Sequence, residues 1–241
     1  MKIVARTDTG LVRENNQDSY AAFELDGAVI AVVCDGMGGA AEGALASNQA
    51  IMAIKEYITE RYYPDMSDIS LKGLLISALE SANRFVFNLS RTDDNYFGMG
   101  TTAVAALISH SDLYIAHVGD SRAYKISDNS LVQLTKDHSI IQHMIESGEI
   151  SAEEASAHPD KHIITRALGV DDEVKVDFCQ ESFEENDILI LCSDGLTNYV
   201  SNEDIVNLTG DGRYFDYADR LVNLANQNGG GDNITVVAVE Y

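Results

Sequence analysis

Four aspartates stand where apolar runs meet glycine. Ala31-Val32-Val33-Cys34 leads into Asp35-Gly36-Met37-Gly38-Gly39, Leu113–Val118 into Gly119-Asp120-Ser121-Arg122, and Ile188–Cys192 into Ser193-Asp194-Gly195. A fourth apolar run, Ile234–Val239, follows Gly229-Gly230-Gly231-Asp232-Asn233. Taken singly, each Asp/Gly pair reads as an ordinary hairpin turn. Taken together they read less easily so, because turns draw on Asn, Ser and Pro as well as Asp, yet Asp recurs after three buried-type strands. If these strand ends converge, several carboxylates share one place, and like charges that close cannot all stay ionised without a cation. An all-oxygen set without His or Cys selects a hard ion such as Mg²⁺ or Mn²⁺. Arg13, in Arg13-Glu14-Asn15-Asn16-Gln17-Asp18, is either a solvated surface charge or, beside such a centre, a bidentate clamp for phosphate.

Other chemistries lack their residues. No segment carries the Asp-rich loop of an EF-hand, the six histidines form no His-Glu-x-x-His pair, and no Gly-x-Ser-x-Gly elbow occurs. The 241 residues include 16 Lys+Arg against 39 Asp+Glu, a formal net charge of −23, which argues against nucleic acid and anionic membranes as partners. An acidic protein that acts on anions must reverse its own field locally, with a cation or placed arginines. Met1–Asp8 holds no apolar h-region, so no secretory signal is expected. The apolar runs fall far short of the ~18 residues of a membrane span. Cys34, Cys179 and Cys192 fit neither a zinc site nor a disulfide framework, and a reducing, cytoplasmic location is expected.

To gather such residues the chain needs strands that end on one side. Apolar, β-branched stretches predict strands at about Ile3–Arg6, Tyr20–Phe23, Ala28–Cys34, Thr102–Ile108, Leu113–Val118, Ala123–Ile126, Val174–Phe178, Ile188–Cys192 and Ile234–Val239. Helical periodicity runs through Gly43–Tyr62 and Ile69–Leu89, with shorter helices at Ile140–Glu146 and Tyr214–Ala225. Ser151 with Glu154, and Ser201 with Asp204, offer capping-box openings. No linker or repeat interrupts the chain, and the order of elements is not a regular β-α alternation. Packed antiparallel sheets flanked by helices fit it.

The motifs also occur in a familiar order. Thr7-Asp8-x-Gly10-x-x-Arg13-x-x-Asn16-Gln17-Asp18-Ser19, Val33-x-Asp35-Gly36-Met37-Gly38-Gly39, Gly98-Met99-Gly100-Thr101-Thr102, Ala116-His117-Val118-Gly119-Asp120-Ser121-Arg122, Asp137-His138-Ser139, Cys192-Ser193-Asp194-Gly195-Leu196 and Gly231-Asp232-Asn233-Ile234-Thr235 follow one another. They resemble the bacterial branch of the metal-dependent serine/threonine protein phosphatases, the PPM or type 2C family, from Thr7 to Val239. The resemblance implies an α+β fold, an α-β-β-α sandwich of two antiparallel sheets flanked by helices, as a single catalytic domain over 1–241. A flap insertion would occupy about 138–169. It implies two Mn²⁺ or Mg²⁺ ions bridged by Asp35, with the backbone carbonyl of Gly36, Asp194 and Asp232 as further ligands and Asp18 supporting the site. Asp120 would hold a third ion with Asp194, and Arg13 would bind the substrate phosphate.

The activity so implied is hydrolysis of phosphoserine and phosphothreonine on proteins by attack of a metal-bridging hydroxide, opposing bacterial Ser/Thr kinases. Paired metals lower the pKa of such a water from about 15.7 towards ~7. No protein nucleophile is needed, so Ser193 and Ser121 read as turn hydroxyls. The animal branch has a His, proposed as general acid, where Met37 stands. Methionine donates no proton, so leaving-group protonation must come from water. Two alternatives stay open: a catalytically weak phosphoprotein-binding relative, and another two-metal phosphoesterase. Phosphorylated proteins and a cognate kinase are the expected partners, and a monomer is expected.

Overall fold

The computed structural model describes residues 1–155, 158–210 and 212–241. The strands are β1 (Lys2–Asp8), β2 (Asp18–Leu25), β3 (Ala28–Met37), β4 (Gly100–Thr101), β5 (Ala103–Ser109), β6 (Asp112–Val118), β7 (Arg122–Ser127), β8 (Ser130–Gln133), β9 (Asp177–Ser182), β10 (Ile188–Cys192) and β11 (Ile234–Glu240). The helices are α1 (Ala40–Arg61), α2 (Asp68–Ser90), α3 (Ile140–Ser147), α4 (Ala152–Ala155), α5 (Asp194–Thr197), α6 (Asn202–Thr209) and α7 (Tyr217–Gln227).

Because side chains alternate across a strand, each buried strand feeds two cores at once. Val29, Ala31 and Val33 of β3 meet Leu189, Leu191, Val237 and Val239 in the layer between the sheets. The intervening Ile30, Val32 and Cys34 face Ile54, Leu75 and Leu79 of α1 and α2. On the opposite side Ile190, Val236 and Ala238 meet Leu196, Leu221 and Ala225. One antiparallel sheet runs β1-β11-β10-β7-β8 and the other β2-β3-β5-β6-β9, with β4 on β3. The result is helix, sheet, sheet, helix: the expected α-β-β-α sandwich.

Ser67 caps α2 by accepting from Ser70 N–H, and Ser201 with Asp204 closes a full capping box on α6. Ser151 and Glu154 bond reciprocally at α4. Three expectations shift. β3 continues through Asp35 to Met37 because Gly36 and Met37 pair with Thr101 and Gly100, so Asp35 lies inside a strand. The strand expected at Val174–Phe178 forms instead at Asp177–Ser182, against β6; Lys175 C=O accepts from Arg166 Nη1 rather than from a strand. β8 was not expected at all. Asp128 and Asn129, at φ 49° and 62°, turn the chain back so that Ser130–Gln133 pairs with β7.

The segment expected as a flap leaves the sandwich at His138 and returns by Leu168, carrying α3 and α4. Ser156 and Ala157 of this segment lie outside the described residues. Its stem is short: Ser139 bridges Ile164, Ile140 N–H donates to Ile163 C=O at 3.0 Å and Thr165 N–H to His138 C=O at 2.8 Å. No helix among the described residues is long and apolar enough to cross a membrane. Cys34, Cys179 and Cys192 are all free thiols, the first and last buried.

Candidate metal centre

Asp18 opens β2 directly opposite Asp35 of β3, so two carboxylates are set together by sheet register alone. The backbone of Asp35 is fixed from both sides. Its N–H donates to Thr102 Oγ1 at 2.9 Å, and its C=O accepts from Thr101 Oγ1 at 2.8 Å and Thr102 N–H at 2.8 Å. Gly36 follows where the first turn of α1 closes on the strand; a Cβ there would strike Gly43 C=O and come within 2.7 Å of Gln17 C=O. Only glycine fits.

Asp194 is the first residue of α5, and its Oδ2 accepts from Asn198 Nδ2 at 3.0 Å. Asp120 lies in the turn between β6 and β7, and Asp232 stands two residues ahead of β11. Arg13 comes from the β1–β2 connection. Asn233 ties that connection down: its Oδ1 accepts from Gln17 N–H at 2.7 Å, while its Nδ2 donates to Thr9 and Asn15 carbonyls at 2.9 and 3.0 Å. Arg13 Nη2 then reaches Asp232 Oδ2 at 2.9 Å.

Six of the seven residues singled out in the sequence, Arg13, Asp35, Gly36, Asp120, Asp194 and Asp232, line one cleft of about 590 Å³. The seventh, Asp18, is buried beside it. Its Oδ2 accepts from Ser193 Oγ at 2.6 Å, and its buried Oδ1 has no partner. Ser193 is thus more than a turn hydroxyl, since the same Oγ accepts from Thr235 N–H at 3.0 Å and locks α5, β2 and β11 together. Met37 lines the cleft, as expected. His162, Ile163 and Ile164 of the flap form its far wall, and His162 Nδ1 lies 3.8 Å from Asp194 Oδ2.

The electrostatics point one way. Burial, then the charges of Asp194 and Asp232, push the Asp18 carboxyl up to about 7. Burial and the carboxylates of Asp18, Asp194, Asp120 and Asp232 raise Asp35 well above the usual range. Asp120 rises to about 7, through burial and then Asp194 and Asp137. Against them stand Arg13 and, at the flap, His162, whose own pKa is raised by the nearby Asp194 carboxylate. Carboxylates that mutually oppose ionisation, with a buried unpartnered oxygen among them, fit a hard divalent cation. The donors are all oxygen, which excludes a soft-metal site.

Thr102, Asn198, Asn233 and His162 belong to this arrangement and were not identified as functional from the sequence. Their contacts join residues far apart in the chain, as with Asp35 and Thr102 or Gln17 and Asn233, which no local pattern announces.

The profile of the protein phosphatase 2C family matches residues 12–236. A serine/threonine phosphatase, Stp, of Listeria welshimeri is 39% identical over 237 residues, 98% of this chain and 94% of that protein. The crystal structure of the Mycobacterium tuberculosis serine/threonine phosphatase PstP/Ppp superposes with a TM-score of 0.90 at 35% identity, covering 100% of this chain and 99% of that one. A PstP catalytic domain in complex with two manganese ions gives a TM-score of 0.87 at 35% identity, over 98% and 96% of the two chains. With a sandwich of the same form and a family match over nearly its whole length, the chain belongs to the protein phosphatase 2C family.

Proposed function

We propose that the cleft hydrolyses phosphoserine and phosphothreonine esters on proteins, with Asp35, Asp120, Asp194, Asp232 and the Gly36 carbonyl holding Mn²⁺ or Mg²⁺. Metal-dependent protein phosphatase activity is that of the family, and one observation carries the residue roles. Carboxylates from separate strands and turns meet in a single cleft whose described cationic side chains are Arg13 and, when protonated, His162. Divalent ions bound there supply neutralising charge and a water acidic enough to act as nucleophile near neutral pH.

The protein's own groups do the rest. Arg13, half exposed, offers two parallel donors to phosphate oxygens, and would be free for this with Asp232 engaged as a metal ligand. Asp18 balances positive charge from beneath, its orientation held by Ser193. Asn198 orients Asp194, and Thr102 fixes the Asp35 backbone. Met37 offers no proton, so the departing serine or threonine oxygen must take its proton from another group or water in the cleft. The −23 charge repels polyanions, which favours phosphoproteins over nucleic acid. A monomeric phosphatase domain over 1–241, with a flap at about 138–169, cytoplasmic and opposing a Ser/Thr kinase, completes the proposal.

The test compares a phosphothreonine peptide, p-nitrophenyl phosphate and bis-p-nitrophenyl phosphate, each with Mn²⁺ and with EDTA. Both monoesters should turn over only with metal. Full activity in chelator would overturn the metal reading, and preference for the diester would make the chain a phosphodiesterase. Tight phosphopeptide binding without turnover would leave a binding relative.

A further inference from the structure

His138 is buried, does not line the cleft, and still bonds both to the turn before Asp120 and to the returning limb of the flap. Its N–H donates to Gly119 C=O at 3.0 Å, and Gly119 N–H donates back to its Nδ1 at 2.9 Å. This reciprocal pair holds the residue immediately before Asp120. Gly119 sits at φ +102°, and a Cβ there would come within 2.6 Å of Thr102 Cγ2, so only glycine fits this turn. The His138 carbonyl meanwhile accepts from Thr165 N–H at 2.8 Å, on the limb by which the flap returns.

An imidazole whose Nδ1 accepts must carry its proton on Nε2. That nitrogen faces Asp177 Oδ2 at 3.4 Å. Arg166 Nη1, beside Nε2, spends its two N–H groups on Lys175 C=O at 3.0 Å and Asp177 Oδ1 at 2.8 Å, so it gives the ring no hydrogen bond. The ring stacks on His117 with centroids 4.7 Å apart and planes 14° apart. Burial, then the Arg166 charge, lowers the His138 pKa, which favours the neutral ring. His117, His138 and Asp177 are close enough to hold a metal ion. Here, however, Nδ1 is already engaged by a backbone amide, and the guanidinium of Arg166 supplies the positive charge between ring and carboxylate.

We propose that His138 is a positioning residue that couples the flap to Asp120: the flap stem, through the His138–Gly119 pair, sets the carboxylate that would hold, with Asp194, a third cation outside the two inner ions bridged by Asp35. This rests on the reading of Asp120 and Asp194 as ligands of that cation. Linkage is reciprocal, so a substrate that engages the flap tightens the outer cation, and the cation tightens the substrate.

Two substitutions separate the contacts. His138→Asn keeps an acceptor near the position of Nδ1 but gives up the reach to Asp177, whereas His138→Leu gives up both. In metal-free protein, amide exchange at Gly119 should be faster by about tenfold or more in the Leu variant and near wild type in the Asn variant, as expected for an opening that costs a hydrogen bond of roughly 1.5 kcal/mol. Mn²⁺ calorimetry should show the outer site weakened about five- to tenfold in His138→Leu, with the two inner ions unchanged. A non-hydrolysable phosphonate analogue of a phosphothreonine peptide should tighten the outer Mn²⁺ about fivefold or more in wild type and leave it unchanged in His138→Leu. His138→Asn should restore the outer-site affinity. If the Leu variant does not fold, Asp177→Asn, which weakens the ring's other anchor, should show the same loss in smaller measure. Asp120→Ala is the control: if it keeps three ions, the ligand reading fails. If it loses one ion while His138→Leu keeps all three at wild-type affinity, the coupling fails and His138 is only a packing residue.

Discussion

Asp18→Asn removes a buried charge whose neighbours are carboxylates, and in the metal-free protein this should stabilise the fold. The rise of the Asp18 pKa from 3.8 to about 7 corresponds to about 4 kcal/mol at about 1.4 kcal/mol per pH unit. The sign follows from linkage. A carboxyl raised on folding is protonated in the native chain while already ionised in the unfolded one, so wild-type stability falls as pH climbs from about 4 through 7. Asparagine abolishes that loss and keeps an oxygen to accept from Ser193 Oγ, giving up about 1–2 kcal/mol because the acceptor is no longer charged. The net gain above pH 7 is about 2–3 kcal/mol. At roughly 2–4 °C per kcal/mol for a chain of this size, the melting temperature in EDTA at pH 8 should rise by about 5–10 °C. The difference should shrink towards pH 4. With Mn²⁺ the order should close or invert, because the cation favours an ionised Asp18 and the variant cannot supply one. Scanning calorimetry of both proteins at pH 4.5 and 8, with EDTA and with Mn²⁺, measures all four corners. A variant less stable than wild type in EDTA at pH 8, or a difference independent of pH, would refute the picture of a centre held under charge repulsion.

His117 should behave oppositely: burial, then His138, lowers its pKa to about 4, so its contribution is complete above pH 6.5 and is lost as pH falls to 4, about 3 kcal/mol in all. Urea unfolding of His117→Phe against wild type at pH 7 and 4.5 should show the gap moving in the variant's favour at the lower pH. Arg13→Ala should change stability by less than about 1 kcal/mol, since its pair with Asp232 is largely exposed, yet raise KM for a phosphopeptide; unchanged steady-state kinetics would return Arg13 to the surface. Gly36→Ala should cost about 3 kcal/mol or more, because the new methyl meets main-chain oxygens that cannot swing aside, and a folded variant should have lost Mn²⁺ affinity by calorimetry.

The sequence and the structure agree most closely where chemistry and local geometry coincide. Asp35, Asp120, Asp194 and Asp232 each follow or precede a strong apolar run beside glycine, so their convergence could be guessed from strand ends. The sandwich was legible because the buried strands and the two long helices are continuous in the chain. What could not be read depends on contacts between distant segments. Asn233 looks like a turn residue until it is seen pinning the Arg13 connection, and Ser193 like another until its bond to Asp18. The Val174–Phe178 alternation was real, since Val174, Val176 and Phe178 all pack on the α1–α2 core. Alternation alone does not say whether a neighbouring strand is there to pair with it, and the ladder on β6 starts only at Asp177. The β7–β8 hairpin was legible in principle, because Asp128-Asn129 suits a turn with two positive φ angles.

The narrow stem at Ser139 and Ile164 has a bearing on how members of such a family can diverge. Everything between those residues enters and leaves the sandwich at one point, and the carboxylates all come from outside it. Closing a loop of roughly two dozen residues costs little more than closing one half as long. Apart from the limb His162–Ile164, which walls the cleft, the segment can therefore lengthen, shorten or change its surface while the carboxylates stay put. The carboxylates and the body of this stretch can therefore change independently of one another.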